Sequence, residues 1–307
     1  MFEILQANNF DALYIKIIHL LYKDGIAIET RNLKTIELLF TKLILTNPRN
    51  RLLNNNIYKT NLFYFIGELC FYLSGSKKLN FINKYSKFWN TVSDDNETVN
   101  SCYGYRIFKQ KNKVGNIQIE YAISQLIKDK NTRKAVIMLA SPEDAFISKD
   151  NICTINIQLL IRNNKLYMIN NMRSNDVVYG LIYDVAFFSF LQEYIYVILK
   201  NYYPKLELGY YIHNVASLHI YEKHFKLFNK LNNKEFFSRI KMPELKFSDT
   251  GKLNDLLIYE EQLRRNESKK QITFWQNNLL KNNSDFLNWC QHILETNKHK
   301  FIKEVKE

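Results

Sequence analysis

Residues 172–184 read MRSNDVVYGLIYD and lead into the most apolar helical run of the chain, residues 183–200. Arg173 offers a planar fork of hydrogen-bond donors and Ser174 adds a hydroxyl, a pair that suits a phosphate and sugar site. Asp184 stands where the apolar run begins, and it could serve a ligand or simply cap the helix. A solvated loop is the competing interpretation of the polar residues, and this stretch alone leaves both open.

Strand-like runs and a cysteine precede this stretch. The runs are AVIMLA at 135–140, TINIQLLI at 154–161 and LYMIN at 166–170, with Asn163-Asn164 predicting a hairpin turn between the last two. Cys153 immediately precedes the second run. A lone cysteine at the start of a strand more often packs in a core than acts as a nucleophile, so its position alone indicates little.

Helical and extended patterns alternate along the rest of the chain. Apolar residues recur at helical spacing in residues 10–23, 61–73, 78–90 and 117–129, with Gly25 and Gly75 ending the first two helices. We predict strands over 33–46 and 210–215, a turn over 47–50 and a further helix over 218–228. This mixture of helices with antiparallel and mixed strands predicts an α+β fold, in which a twisted sheet packs against large helices.

Two further sets of residues are candidates for ligand binding. Glu68 interrupts an apolar helix, and a buried carboxylate is costly unless it is paired or functional, which favours a functional role. His219 and Tyr221 alternate about an apolar residue and could both meet a ribose hydroxyl, although structural His and Tyr are the commoner finding.

Composition narrows the class of protein. The formal net charge of +13 favours an anionic partner such as a nucleotide or a polyanionic cofactor. A bias towards Lys, Asn and Ile explains much of that charge, and no block of like charges predicts a nucleic-acid partner. The four cysteines have neither paired nor metal-ligand spacing, so we expect reduced thiols, no metal ion and a cytoplasmic location.

The two ends of the chain differ in character. The N-terminal residues lack the basic start and clean apolar run of a signal peptide. No stretch is expected to be long and apolar enough to span a bilayer, so we predict no membrane partner. Residues 252–298 are polar, charged and helical in period, which predicts an α-helical C-terminal appendage.

Taken together, these residues resemble the thymidylate synthase and pyrimidine-nucleotide hydroxymethylase family over roughly residues 26–225. The most specific match is Arg173-Ser174-Asn175-Asp176 with Gly180 and Asp184, followed by His219-Ile220-Tyr221. Also matching in order and spacing are Cys153, Gly67-Glu68-Leu69, Leu73, Gly75, Trp89, Tyr103-Gly104 and Arg133-Lys134. The resemblance implies a thymidylate-synthase-like catalytic domain over 1–240 and a helical extension over 241–307.

The resemblance also implies roles in nucleotide binding. Cys153 would add to C6 of a pyrimidine ring, which makes C5 nucleophilic towards the methylene of the co-substrate 5,10-methylenetetrahydrofolate. His219 and Tyr221 would hold the sugar 3′-hydroxyl. The 5′-phosphate would be bound by Arg31, Arg173 and Ser174 together with the partner subunit's Arg133 and the partner subunit's Lys134, because members of the family are homodimers with a shared phosphate site.

The remaining implied roles concern the ring and the folate. Glu68 would organise water and move protons around the ring. Trp89 would line the folate site, and Tyr103 would help to remove the C5 proton through water. Asp176 resembles a residue that contacts the pyrimidine carbonyl or the folate.

Asp184 bears on the choice of base. Thymidylate synthases generally carry Asn at the matching position, whose amide pairs with O4 and N3–H of uracil. A carboxyl group can accept from N4 of cytosine and share a proton with N3, which is the pattern of cytidylate hydroxymethylases. The resemblance therefore favours hydroxymethylation of dCMP or CMP, with water completing the new group.

Departures from the family pattern leave alternatives open. Ile152 and Thr154 replace the usual neighbours of the cysteine, Met172 replaces a glutamine, and Lys134 replaces an arginine, which leaves ribose versus deoxyribose undecided. The usual Trp-Asn pair after the preceding strand is replaced by Ala140-Ser141-Pro142. The short segment that closes over the folate in synthases is not found. Thymidylate synthesis from dUMP and a non-catalytic nucleotide-binding role are the other hypotheses.

Overall fold

The computed structural model describes residues 3–30, 32–144, 146, 148–231, 240–266 and 284–302. Its contacts group the chain into two compact units, each assembled from segments that are distant in sequence. Unit 1 comprises Met1–Thr60, Ile119–Ser141 and Cys153–Lys241. Unit 2 comprises Asn61–Gln118, Pro142–Ile152 and Met242–Glu307.

The described strands all lie in unit 1 and form one mixed sheet. They are β1 (Glu3–Ala7), β2 (Ile26–Thr30), β3 (Leu33–Leu45), β4 (Val136–Met138), β5 (Thr154–Arg162), β6 (Lys165–Asp176) and β7 (Glu207–Tyr221). Their order is β1-β3-β7-β6-β5-β4, with β2 paired to β3. The pairs β1/β3 and β6/β7 are parallel and the others antiparallel, so the predicted mixed sheet is confirmed.

The described helices divide between the two units. They are α1 (Phe10–Asp24), α2 (Leu62–Ser74), α3 (Leu79–Ile82), α4 (Phe88–Val92), α5 (Tyr103–Phe108), α6 (Gln118–Lys128), α7 (Leu181–Leu199), α8 (Phe247–Thr250), α9 (Leu253–Arg264), α10 (Asp285–Thr296) and α11 (His299–Ile302). In unit 1, α1 packs against β1 and β3, and α7 packs against β6 and β7. The predicted α+β class, a mixed sheet packed against helices, is confirmed.

The hairpin of β5 and β6 carries the candidate cysteine and arginine. Asn163 and Asn164 form its turn with φ of 49° and 56°, a left-handed conformation that Asn tolerates better than most residues. A register shift between Thr154 and Asn156 interrupts the ladder just after the cysteine. Such bulges often redirect side chains beside a functional site.

Helix α7 corrects one expectation. It is 19 residues long and apolar enough to cross a bilayer by length and composition, so the expectation that no stretch would qualify is wrong. Most of its side chains are buried inside unit 1. A helix that is buried on nearly every side needs the same apolar composition as a membrane span, which explains the match.

Helix α2 lies at the centre of unit 2. The Asn61 side chain accepts a hydrogen bond from the Tyr64 N–H at 3.2 Å at its start, and Gly75 ends it at φ 65°. Helices α5, α9 and α10 pack against it. The predicted helical character of the C-terminal region is confirmed over the described α9 and α10, whereas the division at residue 240 stays a prediction.

Two local predictions differ from the structure. Residues 78–90 form two short helices, α3 and α4, with a turn between them instead of one helix. The helix predicted over 218–228 is wrong, because β7 continues to Tyr221 and a 3-10 helix follows over Glu222–Lys230. Leu218 and Ile220 are buried while His219 and Tyr221 are half-buried, which is the two-residue alternation of a strand.

Candidate active site

Cys153 and Arg173 lie side by side at one end of the β5/β6 hairpin. The backbone N–H of Arg173 donates to the carbonyl of Cys153 at 2.9 Å, in a ladder where Thr154 is opposite Met172. The Arg173 residue is exposed and Cys153 is half-buried, so both are open to a ligand.

Polar side chains from the ends of β6 and β7 converge next to this pair. Ser174 lies opposite Ser217 and Asp176 lies opposite His219 in the parallel β6/β7 ladder. The Ser174 hydroxyl is 3.4 Å from Nδ1 of His219, whose ring is 5.1 Å from that of Tyr221. The structure thus brings together the predicted phosphate and sugar residues of this end of the sheet.

Asp176 shapes the turn that leads into α7. Its Oδ1 accepts the backbone N–H groups of Val178 at 2.7 Å and Tyr179 at 2.6 Å. Its Oδ2 is buried and has no hydrogen-bond partner among the residues that the structure describes. A buried carboxylate oxygen without a protein donor fits a hydrogen-bond donor on a bound ligand.

Asp184 is a buried carboxyl group in the first turns of α7. The helix begins at Leu181, so Asp184 is inside it and the alternative of a helix cap is wrong. Nδ2 of Asn175 donates to Oδ2 of Asp184 at 2.6 Å. Burial raises the pKa of Asp184 to about 7, and this hydrogen bond only partly opposes the increase.

A chain of buried polar groups continues from Asn175 into the sheet. Nε2 of His213 is 3.2 Å from Oδ1 of Asn175, and Nδ1 of His213 is 2.7 Å from the Tyr211 hydroxyl. Nδ2 of Asn170 is 3.4 Å from the same hydroxyl. Burial lowers the pKa of His213 to about 3, so its imidazole is neutral at physiological pH.

A second cluster, in unit 2, surrounds Glu68. The hydroxyls of Tyr64 and Tyr72 donate to Oε1 of Glu68 at 2.7 Å and 3.3 Å. Nε1 of Trp89 donates to the Tyr64 hydroxyl at 3.1 Å, and the ring of Tyr103 lies 5.5 Å from that of Tyr72. The predicted residues Glu68, Trp89 and Tyr103 therefore belong to one connected cluster.

Gly104 explains how Tyr103 reaches this cluster. A Cβ at Gly104 would lie 2.1 Å from the backbone oxygen of Tyr72, so only glycine permits α5 to approach α2 this closely. Packing against Tyr72 therefore explains why residue 104 is glycine. The same close packing of α5 on α2 positions the neighbouring Tyr103.

The remaining predicted residues have simpler surroundings. Arg133 and Lys134 are exposed in the segment that precedes β4. Arg31 lies outside the described residues. Residues 172–176 belong to β6, so the interpretation as a solvated loop is wrong. Across the part of the chain that is described, no group of three His, Cys, Asp or Glu side chains could hold a metal ion.

Sequence reasoning assigned no role to several residues of these clusters. Tyr64 and Tyr72 lie four residues before and after Glu68, and this helical spacing could have identified them. Asn175 stood inside the matched motif and His213 near it, but their contact depends on the pairing of β6 with β7. Periodicity within one segment does not reveal such a contact.

The comparison against protein families assigns the chain to a known family. The thymidylate synthase family model matches residues 13–276, and the chain belongs to this family. The resemblance inferred from separate blocks of sequence is therefore confirmed.

Individual relatives refine this assignment. The deoxycytidylate 5-hydroxymethyltransferase of Enterobacteria phage T6 is 32% identical over 46% of this chain and 59% of its own length. The deoxyuridylate hydroxymethyltransferase of Delftia phage PhiW-14 is 32% identical over 63% of this chain and 55% of its length. The chain thus spans less than two-thirds of the length of these relatives.

A solved structure supports the fold independently. Thermostable thymidylate synthase A from Bacillus subtilis superimposes with a TM-score of 0.62 and 22% sequence identity. The match covers 75% of this chain and 86% of that chain, which establishes the architecture.

Proposed function

We propose that this protein is a folate-dependent hydroxymethylase that modifies C5 of a cytidine monophosphate, dCMP or CMP. The observation that carries the proposal is the backbone hydrogen bond from the Arg173 N–H to the Cys153 carbonyl, which holds the proposed nucleophile and the proposed phosphate-binding residue on adjacent strands. Family membership and the names of the phage relatives support one-carbon transfer to a pyrimidine nucleotide.

Cys153 acts as the nucleophile in this proposal. Its thiolate forms a bond with C6 of the ring, and the electron pair of the C5–C6 double bond moves so that C5 becomes enamine-like. When bound, 5,10-methylenetetrahydrofolate supplies the one-carbon unit that C5 receives. Loss of the C5 proton would release tetrahydrofolate and leave a methylene group on C5. Water would add to that carbon to give the hydroxymethyl group, and departure of the Cys153 thiolate from C6 would restore the C5–C6 double bond.

The strand-end residues hold the nucleotide. Arg173 and Ser174 bind the 5′-phosphate, since a guanidinium recognises phosphate through paired hydrogen bonds. His219 and Tyr221, on one face of β7, bind the sugar 3′-hydroxyl. Arg31 shares the phosphate with Arg173. The exposed Arg133 and Lys134 are offered to the phosphate of the neighbouring subunit in a homodimer. The enzyme acts in the cytoplasm.

Asp184 reads the base. Its pKa of about 7 keeps a proton available near neutral pH, although the group is a carboxylic acid. The protonated carboxyl donates to N3 of cytosine and accepts from the N4 amino group. Burial raises the cost of an unsatisfied contact, so a mismatched base is rejected more strongly than it would be in water.

The Glu68 cluster and Asp176 serve proton transfer and the folate. Glu68, held by two tyrosine hydroxyls, organises the water that receives the C5 proton, and Tyr103 assists it. Trp89 offers an aromatic surface to the folate. The buried Oδ2 of Asp176 accepts from a donor on the folate or on the base.

A uracil nucleotide is the second candidate substrate. The phage PhiW-14 relative aligns with 63% of this chain, a larger share than the T6 relative, and its name specifies deoxyuridylate. A protonated Asp184 can also donate to O4 of uracil and accept from N3–H. A related alternative is methyl transfer to dUMP, as in thymidylate synthases. In that reaction a hydride from the folate, in place of water, completes the new group on C5.

The test measures tritium release from C5-labelled dCMP, CMP and dUMP in the presence of methylenetetrahydrofolate. We expect release with a cytosine nucleotide and no dihydrofolate absorbance. Cys153→Ser should abolish release. Cys102→Ser is the matched control, because the Cys102 thiol donates to the Ser76 carbonyl and a hydroxyl can do the same.

Each alternative has its own signature in this assay. Faster release from dUMP would overturn the cytosine assignment, and dihydrofolate formation would indicate methyl transfer. Release that survives Cys153→Ser would exclude Cys153 as the nucleophile. Binding of nucleotide without any release would indicate a non-catalytic protein.

A further inference from the structure

A protonated carboxyl group cannot by itself distinguish cytosine from uracil. Its proton can sit on either oxygen, so the group can present a donor and an acceptor in either order. Cytosine needs an acceptor at position 4 and a donor at position 3, whereas uracil needs the reverse. Selectivity therefore requires something that makes the two oxygens of Asp184 different.

Asn175 makes them different. Its Nδ2 donates to Oδ2 of Asp184 at 2.6 Å, so Oδ2 is the accepting oxygen. Among the described residues, Asn175 is the hydrogen-bond partner of the Asp184 side chain, and no charged group contributes to its electrostatics. A proton on the carboxyl group is consequently placed on Oδ1, and the donor and acceptor acquire a fixed order.

His213 sets the orientation of the Asn175 amide, because it contacts the amide oxygen, which is the atom that does not contact Asp184. A neutral imidazole donates from one nitrogen and accepts at the other. Because Oδ1 of Asn175 can only accept, Nε2 of His213, 3.2 Å away, carries the imidazole proton, and Nδ1, 2.7 Å from the Tyr211 hydroxyl, is the acceptor. Reversing the amide would require His213 to change tautomer and Tyr211 to reverse its hydroxyl at the same time, in a site where all these groups are buried.

Gly180 lies directly against the hydrogen bond between Asn175 and Asp184. A Cβ at Gly180 would lie 2.7 Å from Nδ2 of Asn175 and 3.3 Å from Oδ2 of Asp184. The space in front of this hydrogen bond therefore admits no side chain. Gly180 has φ −97°, so its backbone suits any residue and the constraint is one of space.

We infer that Asn175, oriented by His213, is a specificity-determining positioning residue that fixes the order in which Asp184 presents donor and acceptor to the pyrimidine. The inference rests on the proposed function, since it assumes that Asp184 faces the base. It explains why a polar chain runs from Asp184 to Tyr211 through an otherwise apolar core, where each buried polar group costs free energy unless it is paired.

The experiment measures equilibrium binding of dCMP and of dUMP, without folate, by titration calorimetry. The quantity of interest is the ratio of the two dissociation constants. Asn175→Leu and His213→Phe should each reduce this ratio by about tenfold, because one oriented hydrogen bond is lost. His213→Gln should retain it, because a glutamine amide can donate to Oδ1 of Asn175.

The outcomes separate the inference from the proposed function. Equal weakening of both nucleotides, with an unchanged ratio, would mean that Asn175 is merely structural and would overturn the inference while the proposed function stands. Failure of the wild-type protein to bind either nucleotide would overturn both. If Asn175→Leu does not fold, Gly180→Ala provides a second test, because its Cβ would lie 2.7 Å from Nδ2 of Asn175 and would disturb the amide without removing any residue of the polar chain.

Discussion

The two ends of α7 each bury a carboxyl group, and the structure treats them in opposite ways. Near the C-terminal end, Glu193 accepts from Nε of Arg49 at 2.8 Å and pairs with the guanidinium of the buried Arg51. Burial opposes its ionisation, but the charges and hydrogen bonds of Arg51 and Arg49 outweigh burial and lower its pKa. Near the N-terminal end, Asp184 has a neutral amide as its donor, and its pKa is raised.

This difference distinguishes a carboxyl group with a structural role, Glu193, from one with a proposed functional role, Asp184, on the same helix. A buried carboxylate that is matched by cations is complete without a ligand, and its removal harms mainly the fold. A buried carboxyl group with a neutral partner keeps its proton and has one oxygen available to a ligand, as expected of a group that recognises a ligand.

The largest effect is expected at Glu193. Glu193→Gln removes the carboxylate charge that compensates the buried Arg51 guanidinium. The free energy of unfolding should fall by about 3–5 kcal/mol, measured by denaturant titration. Preference between dCMP and dUMP should stay unchanged in the folded fraction. A loss below about 1 kcal/mol, as for an exposed ion pair, would show that the pair is not structural.

Asp184 and Glu193 should make contributions of opposite sign to the pH dependence of the free energy of unfolding. The unfolded chain loses the Asp184 proton near its ordinary pKa of 3.8, whereas the folded protein keeps it until about pH 7. Stability therefore falls as pH rises between these values, by about 2–4 kcal/mol, and Asp184→Asn should remove this fall. Glu193, whose pKa is lowered, contributes stability that is lost as pH falls. Parallel profiles for wild type and Asp184→Asn would contradict the assignment.

Base preference should change at Asp184 and not at Glu193. Asp184→Asn supplies an amide in place of the carboxyl group and should move preference from dCMP towards dUMP by about 1–3 kcal/mol. Competition binding with the two nucleotides measures this change. A loss of affinity that is equal for both would mean that Asp184 does not contact the base.

The smallest effect is expected at Glu68. The neutral hydroxyls of Tyr64 and Tyr72 donate to its Oε1, much as the neutral amide of Asn175 donates to Asp184. Tyr64→Phe or Tyr72→Phe should each reduce turnover by about 0.5–1.5 kcal/mol of transition-state stabilisation and leave the Kd for nucleotide unchanged. A larger effect on Kd than on kcat would place these tyrosines in nucleotide binding instead.

Local sequence was sufficient to predict most helices and strands and the site residues that lie on one strand. Helix α2 follows from its apolar run and from Gly75, and the β5/β6 hairpin follows from alternation around Asn163-Asn164. Arg173 and Cys153 were expected together because the resemblance to a family joined them. The structure then provides a direct reason in the pairing of adjacent strands.

Features that depend on pairing between distant segments were missed. Residues 218–228 were predicted as a helix, yet pairing with β3 and β6 keeps the end of β7 extended. The polar chain of Asn175, His213 and Tyr211 depends on the same pairing. Burial of Asp184 is likewise a property of packing, so its pKa could not be read from an aspartate at the start of an apolar run.

The most direct test of the central claim, that an uncompensated Asp184 selects cytosine at a Cys153 nucleophile, is a product mass spectrum from a competition. Wild-type protein receives equal amounts of dCMP and dUMP with methylenetetrahydrofolate, and the nucleotides are analysed after partial turnover. We predict that dCMP gains one CH2O unit and dUMP stays unchanged. A gain of CH2 or CH2O on dUMP with dCMP unchanged would contradict the account.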